Sequence, residues 1–541
     1  MSSRTPRLLL ALTTSALLVA LGAPAAHAAA DGGGGGDDTN PVDFLHNVTG
    51  AAAPVTGAAL GQGAATKPGV PICTTSGSPT ANVNTDCDGQ NPHNETAIAV
   101  NPTNANNLIG GANDYQLRSN PGGHVAESVL SRAHVTFDGG RTWSEYPINA
   151  NSAYQATGDP SIAFDATGHA YYATLGFGFT GAKGATNPDI VVANSGDGGR
   201  NWTSVRVASG SGNSGSVGDL LDKEWIAAWG AGNAIVSFGD FRQAQKGAIV
   251  TARIHTTVTH DYGRTWSAPV VVSGPLDQAF VSVPTVTKDG RVFVAFLNTV
   301  ASDNYRDDYV VSEVSPATGA LVAGPFTVAR TIDGATDYPI AFGRQTYQDS
   351  LFRSWAAGNI TSDPTHPGHL AVVWSDMRNS VTPAPADPYA ARTNSDVVVS
   401  QSSDYGRHWS APTALARAND QFMPWGAYDA SGRLRIGAFD RSYDSANHLY
   451  GYSVSTETTA GSLRFTTTLV STALSDPTKN DRWFAATANA AFPYATTFLG
   501  DYSNIAVTPS GVAAYWTDMR TSATFGGRTG HGEDAYFGVT R

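Results

Sequence analysis

Short runs in which apolar and polar residues alternate follow one another from about Asn94 to the C-terminus, each closed by a cluster of Gly, Asp, Asn, Ser or Pro. Asp189-Ile-Val-Val-Ala-Asn194 and Thr203-Ser-Val-Arg-Val207 are typical. Alternation with a period of two puts one face of a strand in a core and the other towards water, so the pattern predicts twisted antiparallel hairpins. The first unit reads as four strands, Glu95–Val100, Asn107–Asp114, Val129–Asp138 and Thr142–Ile148. The last unit has three, Tyr502–Val507, Val512–Asp518 and Ala535–Val539, and an N-terminal segment at Thr80–Val83 is the candidate for its fourth.

Between such strands one octapeptide occurs four times: Thr136 to Trp143, Ser195 to Trp202, Thr259 to Trp266 and Ser402 to Trp409, of the form S/T-x-D-x-G-x-x-W. Asp138, Asp197, Asp261 and Asp404 are placed to accept backbone N–H groups inside a turn. The Gly takes a backbone shape that other residues resist, and Trp143, Trp202, Trp266 and Trp409 cap the hairpins by packing. The Asp positions are separated by 59, 64 and 143 residues, the last gap being close to two units. A fifth unit without the signature fits there: Asp308–Val314, a turn at Ser315-Pro-Ala-Thr-Gly319, and Pro325–Ala329. Trp374-Ser-Asp376-Met-Arg378 and Trp516-Thr-Asp518-Met-Arg520, 142 residues apart, keep the same count. Four-stranded units in tandem imply an all-β fold, a β-propeller of antiparallel blades, with seven blades favoured and six as the alternative. For the Asp-x-Arg strand ends a structural ion pair is the favoured reading, because they recur from unit to unit.

The ends and the composition narrow the setting. Arg4 and Arg7, the apolar run Leu8 to Leu21 and Ala26-His27-Ala28 predict a signal peptide at 1–28 and a secreted, extracellular protein. Nothing later approaches the ~18 apolar residues of a membrane span. Residues 29–93 read as a flexible leader and N-terminal segment, and 94–541 as the propeller. Without Arg4 and Arg7 there are 31 basic residues against 45 acidic, a balance of −14, which disfavours nucleic acid and anionic membranes as partners. Cys73 and Cys87 are the two cysteines and, after export, are expected to form one disulfide. A monomer is expected.

The octapeptide has the form of the Asp box, or bacterial neuraminidase repeat, and from Asn94 to Arg541 the chain resembles the sialidase superfamily. The resemblance implies a glycoside hydrolase that releases terminal, acidic sugars from extracellular glycans. Tyr502-Ser-Asn-Ile505 is similar to the sequence around the family's Tyr nucleophile, and Asp114, in Gly110-Gly-Ala-Asn-Asp114, to its acid/base. Arg392 is similar to one of the arginines that grip the sugar carboxylate by paired hydrogen bonds. For the Glu that would take the tyrosine's proton, Glu224 and Glu313 are candidates, with Glu224 better placed at a strand start. Where the family opens with Arg-Ile-Pro this chain has Asn94-Glu95-Thr96, so Arg118 and Arg344 are the candidates to replace the first arginine.

Two other classes stay open. One is a non-catalytic propeller that binds glycan or protein. The other is a polysaccharide lyase acting on uronate-containing glycans. Glu95, Asp159, Asp222, Glu224 and Asp501 stand at strand starts, where they form an acidic funnel or simply cap backbone amides. No cofactor is required by this reading. A structural Ca2+ is compatible with it but has no motif of its own, and neither His531-Gly-Glu533-Asp534 nor Asp86-Cys-Asp88 has zinc spacing, so no metal ligand is assigned.

Overall fold

The computed structural model describes residues 69–87, 91–119, 125–148, 154–179, 185–211, 217–244, 249–341, 344–380, 385, 387–479, 498–525 and 528–540. The signal-peptide segment and most of the leader lie outside them. The strands form seven antiparallel blades. Blade 1 comprises His93–Val100, Leu108–Ser119, Val125–Thr136 and Thr142–Pro147; blade 2, Ala156–Phe164, Ala170–Phe179, Ala185–Ser195 and Thr203–Ala208. Blade 3 comprises Gly218–Trp229, Asn233–Gln243, Ile249–Thr259 and Val270–Val271; blade 4, Ala279–Val286, Val292–Val300, Arg306–Val314 and Leu321–Arg330. Blade 5 has Gly358–Ser362, Leu370–Asp376, Asp396–Ser402 and Thr413–Ala414; blade 6, Gln421–Tyr428, Leu434–Asp440, Gly451–Glu457 and Phe465–Leu469. Blade 7 holds Asn504–Thr508, Gly511–Asp518 and Asp534–Thr540.

Its fourth strand comes from the other end of the chain: Val83 pairs with Phe537 and Asn84 with Tyr536. The predicted closure is thus present, shifted from Thr80–Val83 to Val83–Asn84. A second N-terminal strand, Cys73–Ser76, pairs with Thr142–Pro147 as an unforeseen fifth strand of blade 1. The Cys73–Cys87 disulfide joins these two N-terminal strands, which sit on the last and the first blades. Sheet edges on both sides of the closure are thereby paired.

The four octapeptides build one turn between the third and fourth strands of blades 1, 2, 3 and 5. In the first, Asp138 Oδ1 accepts the amides of Arg141 and Thr142 at 3.0 and 2.9 Å, and Thr136 Oγ1 accepts the Gly140 amide at 3.0 Å. Trp143 Nε1 donates to the Gly140 carbonyl at 3.0 Å. Trp202, Trp266 and Trp409 repeat that last bond to Gly199, Gly263 and Gly406. Trp143 does more than cap its own hairpin, since it lies on Phe537 and Tyr515 of blade 7, with ring centroids 4.9 and 6.1 Å away. Gly140 (φ 92°) is needed for that approach, because a Cβ there would come within 2.1 Å of Phe537. Blade 4 turns at Ser315–Ala320 without the signature, closed by Gly319 N–H to Ser315 O at 2.8 Å. Asp376 and Asp518 are gripped by the arginine two residues on, at 2.8 and 2.6 Å in both cases, and each also accepts its own strand's Trp Nε1–H. These ion pairs are structural.

Candidate functional site

A backbone irregularity shared by several blades makes the site. In the innermost strands of blades 1, 2, 3, 4 and 6 the pairing register shifts by a bulge at equivalent places. The bulged residues, Glu95, Asp159, Lys223, Val281 and Met423, all have left-handed φ, between 47° and 57°. A bulge re-aims a side chain that the pleat would otherwise commit to one face of the sheet. A left-handed residue that is not Gly, and above all a β-branched one such as Val281, is held there only by its surroundings.

Three of the five meet in one buried ion cluster. Lys223 Nζ lies 2.6 Å from Asp501 Oδ2, 2.8 Å from Asp159 Oδ2 and 3.3 Å from Glu95 Oε1. Asp501 precedes the first strand of blade 7 and is also clamped by Arg353, from the long connection between blades 4 and 5, at 2.8 and 2.5 Å. Burial opposes the Lys223 charge, but Asp159, Asp501 and Glu95 outweigh it and raise the lysine pKa well above its usual value. Burial likewise opposes ionisation of Asp501, and Arg353 and Lys223 hold its carboxyl far below the ordinary range. Glu95 is pushed well up, by burial and then by the charge of Asp159. The cluster sets two bases, Lys223 and Arg353, among three carboxyls, those of Asp159, Asp501 and Glu95.

Beside it stands a carboxyl without such pairing. Glu224 is 2% exposed, and neither of its oxygens has a hydrogen-bond partner in another described residue. Burial, then the charges of Asp159 and Asp222, push its pKa well above the usual carboxyl value. Asp222, also buried, is pushed up to about 7. Glu224 is among the residues lining a pocket whose other lining is largely apolar and aromatic, with Trp225, Val281, Trp355, Met423, Trp425 and Tyr502, while its carboxyl oxygens are closed off from solvent. Trp225 packs against Trp425 with ring centroids 4.4 Å apart and against the edge of Tyr502 at 5.0 Å.

The expected site residues are distributed unevenly around this pocket. Tyr502 and Glu224 both line it, and all five strand-start acids converge on it or on the ion cluster. The Tyr502 hydroxyl donates to the Pro160 carbonyl at 2.9 Å, and burial beside Glu95, Asp159 and Glu224 drives its pKa well up, which disfavours a phenolate. Asp114 lies within the sheet of blade 1, where Gln116 donates to it at 2.6 Å and Arg132 lies 3.1 Å away. Arg392 is exposed in the loop ahead of Asp396–Ser402 and is not among the pocket residues. Of Arg118 and Arg344 only the backbone pairings, with Ala126 and Ala341, are described. Glu313 binds Arg291 at 2.8 and 2.6 Å, at the outer end of blade 4. Lys223 and Arg353 were not anticipated. The Asp222-Lys223-Glu224 tripeptide was the available signal for the first, and Arg353, one of two arginines in the long connection between blades 4 and 5, carried none.

The two halves of the Asp86 and His531–Asp534 segments also meet: Asp86, His93 and Asp534 each offer a ligand-type atom, all within 4.8 Å of one another and buried. No helix among the described residues is long and apolar enough to cross a membrane.

No protein-family model matches the chain, and no curated protein sequence does. Solved structures do. A Hadza microbial sialidase matches at 11% identity over 87% of this chain and 95% of that one, with a TM-score of 0.41. An α-L-arabinofuranosidase of Fusarium graminearum matches at 13% over 86% and 98%, TM-score 0.41. An ulvan lyase matches at 12% over 69% and 80%, TM-score 0.44. The seven-bladed propeller is thus similar to those of carbohydrate-active enzymes. At these identities the likeness is one of fold, and the fold is host to many chemistries.

Proposed function

We propose that the chain cleaves glycosidic bonds in the pocket beside Glu224, acting outside the cell as its N-terminal sequence implies. The observation that carries this is the buried Glu224 carboxyl, without a hydrogen-bond partner in another described residue, on a residue that lines an aromatic-rich pocket. Such a carboxylic acid is poised to give its proton to a leaving glycosidic oxygen at neutral pH. Asp159, 2.8 Å from the Lys223 ammonium, supplies the second carboxyl group that glycoside hydrolysis ordinarily needs. The indole faces offer apolar surface to a sugar ring. On a panel of chromogenic glycosides, Glu224→Gln lowers kcat by about 10²–10⁴ without loss of the folded state; unchanged turnover of a substrate cleaved by the wild type refutes the assignment.

A second reading is supported by the placement of Tyr502 next to Glu224. It is the sialidase-like exo-hydrolase implied by the resemblance, with Tyr502 attacking the anomeric carbon and Glu224 taking its proton; Asp114, Arg392, Arg118 and Arg344, which the resemblance adds as acid and carboxylate grip, are not among the described residues that line the pocket. Tyr502→Phe separates the two. With carboxylate chemistry the phenol only fixes the wall through Pro160, and the loss is less than about tenfold; with Tyr502 as nucleophile, turnover falls by about 10³ or more.

A further inference from the structure

We infer that the sugar unit accepted by this pocket is neutral, carrying no carboxylate, sulfate or free amine. The inference rests on the proposed glycoside-cleaving function and narrows its substrate class, away from the acidic terminal sugar implied by the sialidase resemblance.

An anionic sugar needs a base with free donors. Among the described residues that line the pocket Lys223 is the only base, and its ammonium is already shared by Asp501, Asp159 and Glu95. The neighbouring Arg353 presents its fork to Asp501 through both Nε and Nη2, and its guanidinium lies over the rings of Trp355 and Phe498, 4.6 and 4.9 Å from their centroids. Paired in this way, it is not available for bidentate recognition of a substrate carboxylate. Two bases stand among five carboxyls, those of Glu95, Asp159, Asp222, Glu224 and Asp501. Burial and mutual repulsion already raise the pKa of Glu95 and Glu224. A sixth carboxylate would enter a site whose two bases are already taken by carboxyls of the chain.

A cationic sugar is disfavoured for the complementary reason: Asp159 and Asp501 are already paired with Lys223 and Arg353, and burial disfavours the charged form of Glu224. A neutral pyranose or furanose fits both halves. It asks for no counter-charge, and its C–H faces find apolar surface in Trp225, Trp425 and Met423.

The test uses the full-length protein and matched 4-nitrophenyl glycosides: neutral hexosides and pentosides, the corresponding uronides, a glucosaminide with a free amine, and a sialoside. A parallel measurement follows intrinsic tryptophan fluorescence of Glu224→Gln, in which binding is read without turnover. Neutral glycosides are expected to exceed their charged counterparts by about 100-fold or more in kcat/KM, and by the same order in affinity for the Gln variant. Comparable or better use of a uronide, the sialoside or the amine overturns the inference and leaves the glycosidase reading intact. Absence of both turnover and sugar-dependent fluorescence change across the whole panel overturns the glycosidase reading and the inference together.

Discussion

The same backbone bulge serves two opposite purposes on the two sides of the pocket. In blades 1, 2 and 3 it delivers Glu95, Asp159 and Lys223 into an ion cluster, while in blades 4 and 6 it delivers Val281 and Met423 to an aromatic wall. The backbone is nearly identical, with φ within ten degrees across the five. What differs is the side chain. On the polar side each charge is oriented by several partners, which is costly to desolvate and tolerable only when the partners are complete. On the apolar side, contact area and shape supply the stability and no partner is required. The comparison shows that the propeller ring fixes where side chains converge, whereas the chemistry there is set blade by blade.

The comparison can be broken most forcefully at Lys223. Lys223→Met leaves Asp159 and Asp501 facing each other without their shared cation, and a loss of about 3–5 kcal/mol in folding stability is expected in denaturant titrations. A loss under about 1 kcal/mol would mean that the polar side is held by packing, as the apolar side is.

A smaller effect is expected at Glu224, with a definite sign against pH. Its folded-state pKa lies above the unfolded value of 4.5, so the native state holds this proton more tightly than the unfolded chain does. Stability from this group is complete below about pH 4.5 and declines as pH rises towards the folded pKa. Asp222, raised to about 7, acts in the same direction over about pH 4 to 7. Glu224→Gln therefore gains on the wild type as pH rises from 5 to 8, on the order of 1–3 kcal/mol, measured by paired unfolding curves. A constant difference across that range would show that the carboxyl is ionised throughout.

The smallest effect belongs to the repeated turns, outside both halves. Asp404→Ala removes an acceptor for the His408 amide at 2.9 Å, and a loss of about 1 kcal/mol is expected with glycoside turnover unchanged. A change in kcat would tie the rim of blade 5 to the pocket.

The frame was legible in the sequence because its determinants are local. Asp138, Asp197, Asp261 and Asp404 bind amides three or four residues away, and Asp376 and Asp518 bind the arginine two residues on, so a short motif contains its own explanation. The site was legible only in part. The strand-start acids and Tyr502 were singled out, but Arg353 is 148 residues from the aspartate it clamps, and no local pattern announces such a pair. Asp114 shows the converse, since its place at the end of a strand resembles that of an acid/base residue, while the fold engages it with Arg132 and Gln116 inside blade 1.

By itself the sequence indicated most of the strands, the turns between them, seven blades in preference to six, and closure of the last blade by the N-terminal segment. Each follows from alternation, turn chemistry and spacing, which act over a few residues or repeat at a fixed period. Only the tertiary structure decided which charges cancel and which carboxyl is left over. That outcome depends on distances between blades and on burial, neither of which is written in any one stretch of chain. Lys223, Arg353 and Glu224 owe their states to neighbours brought from four blades and from the connection between blades 4 and 5, and those states define the pocket.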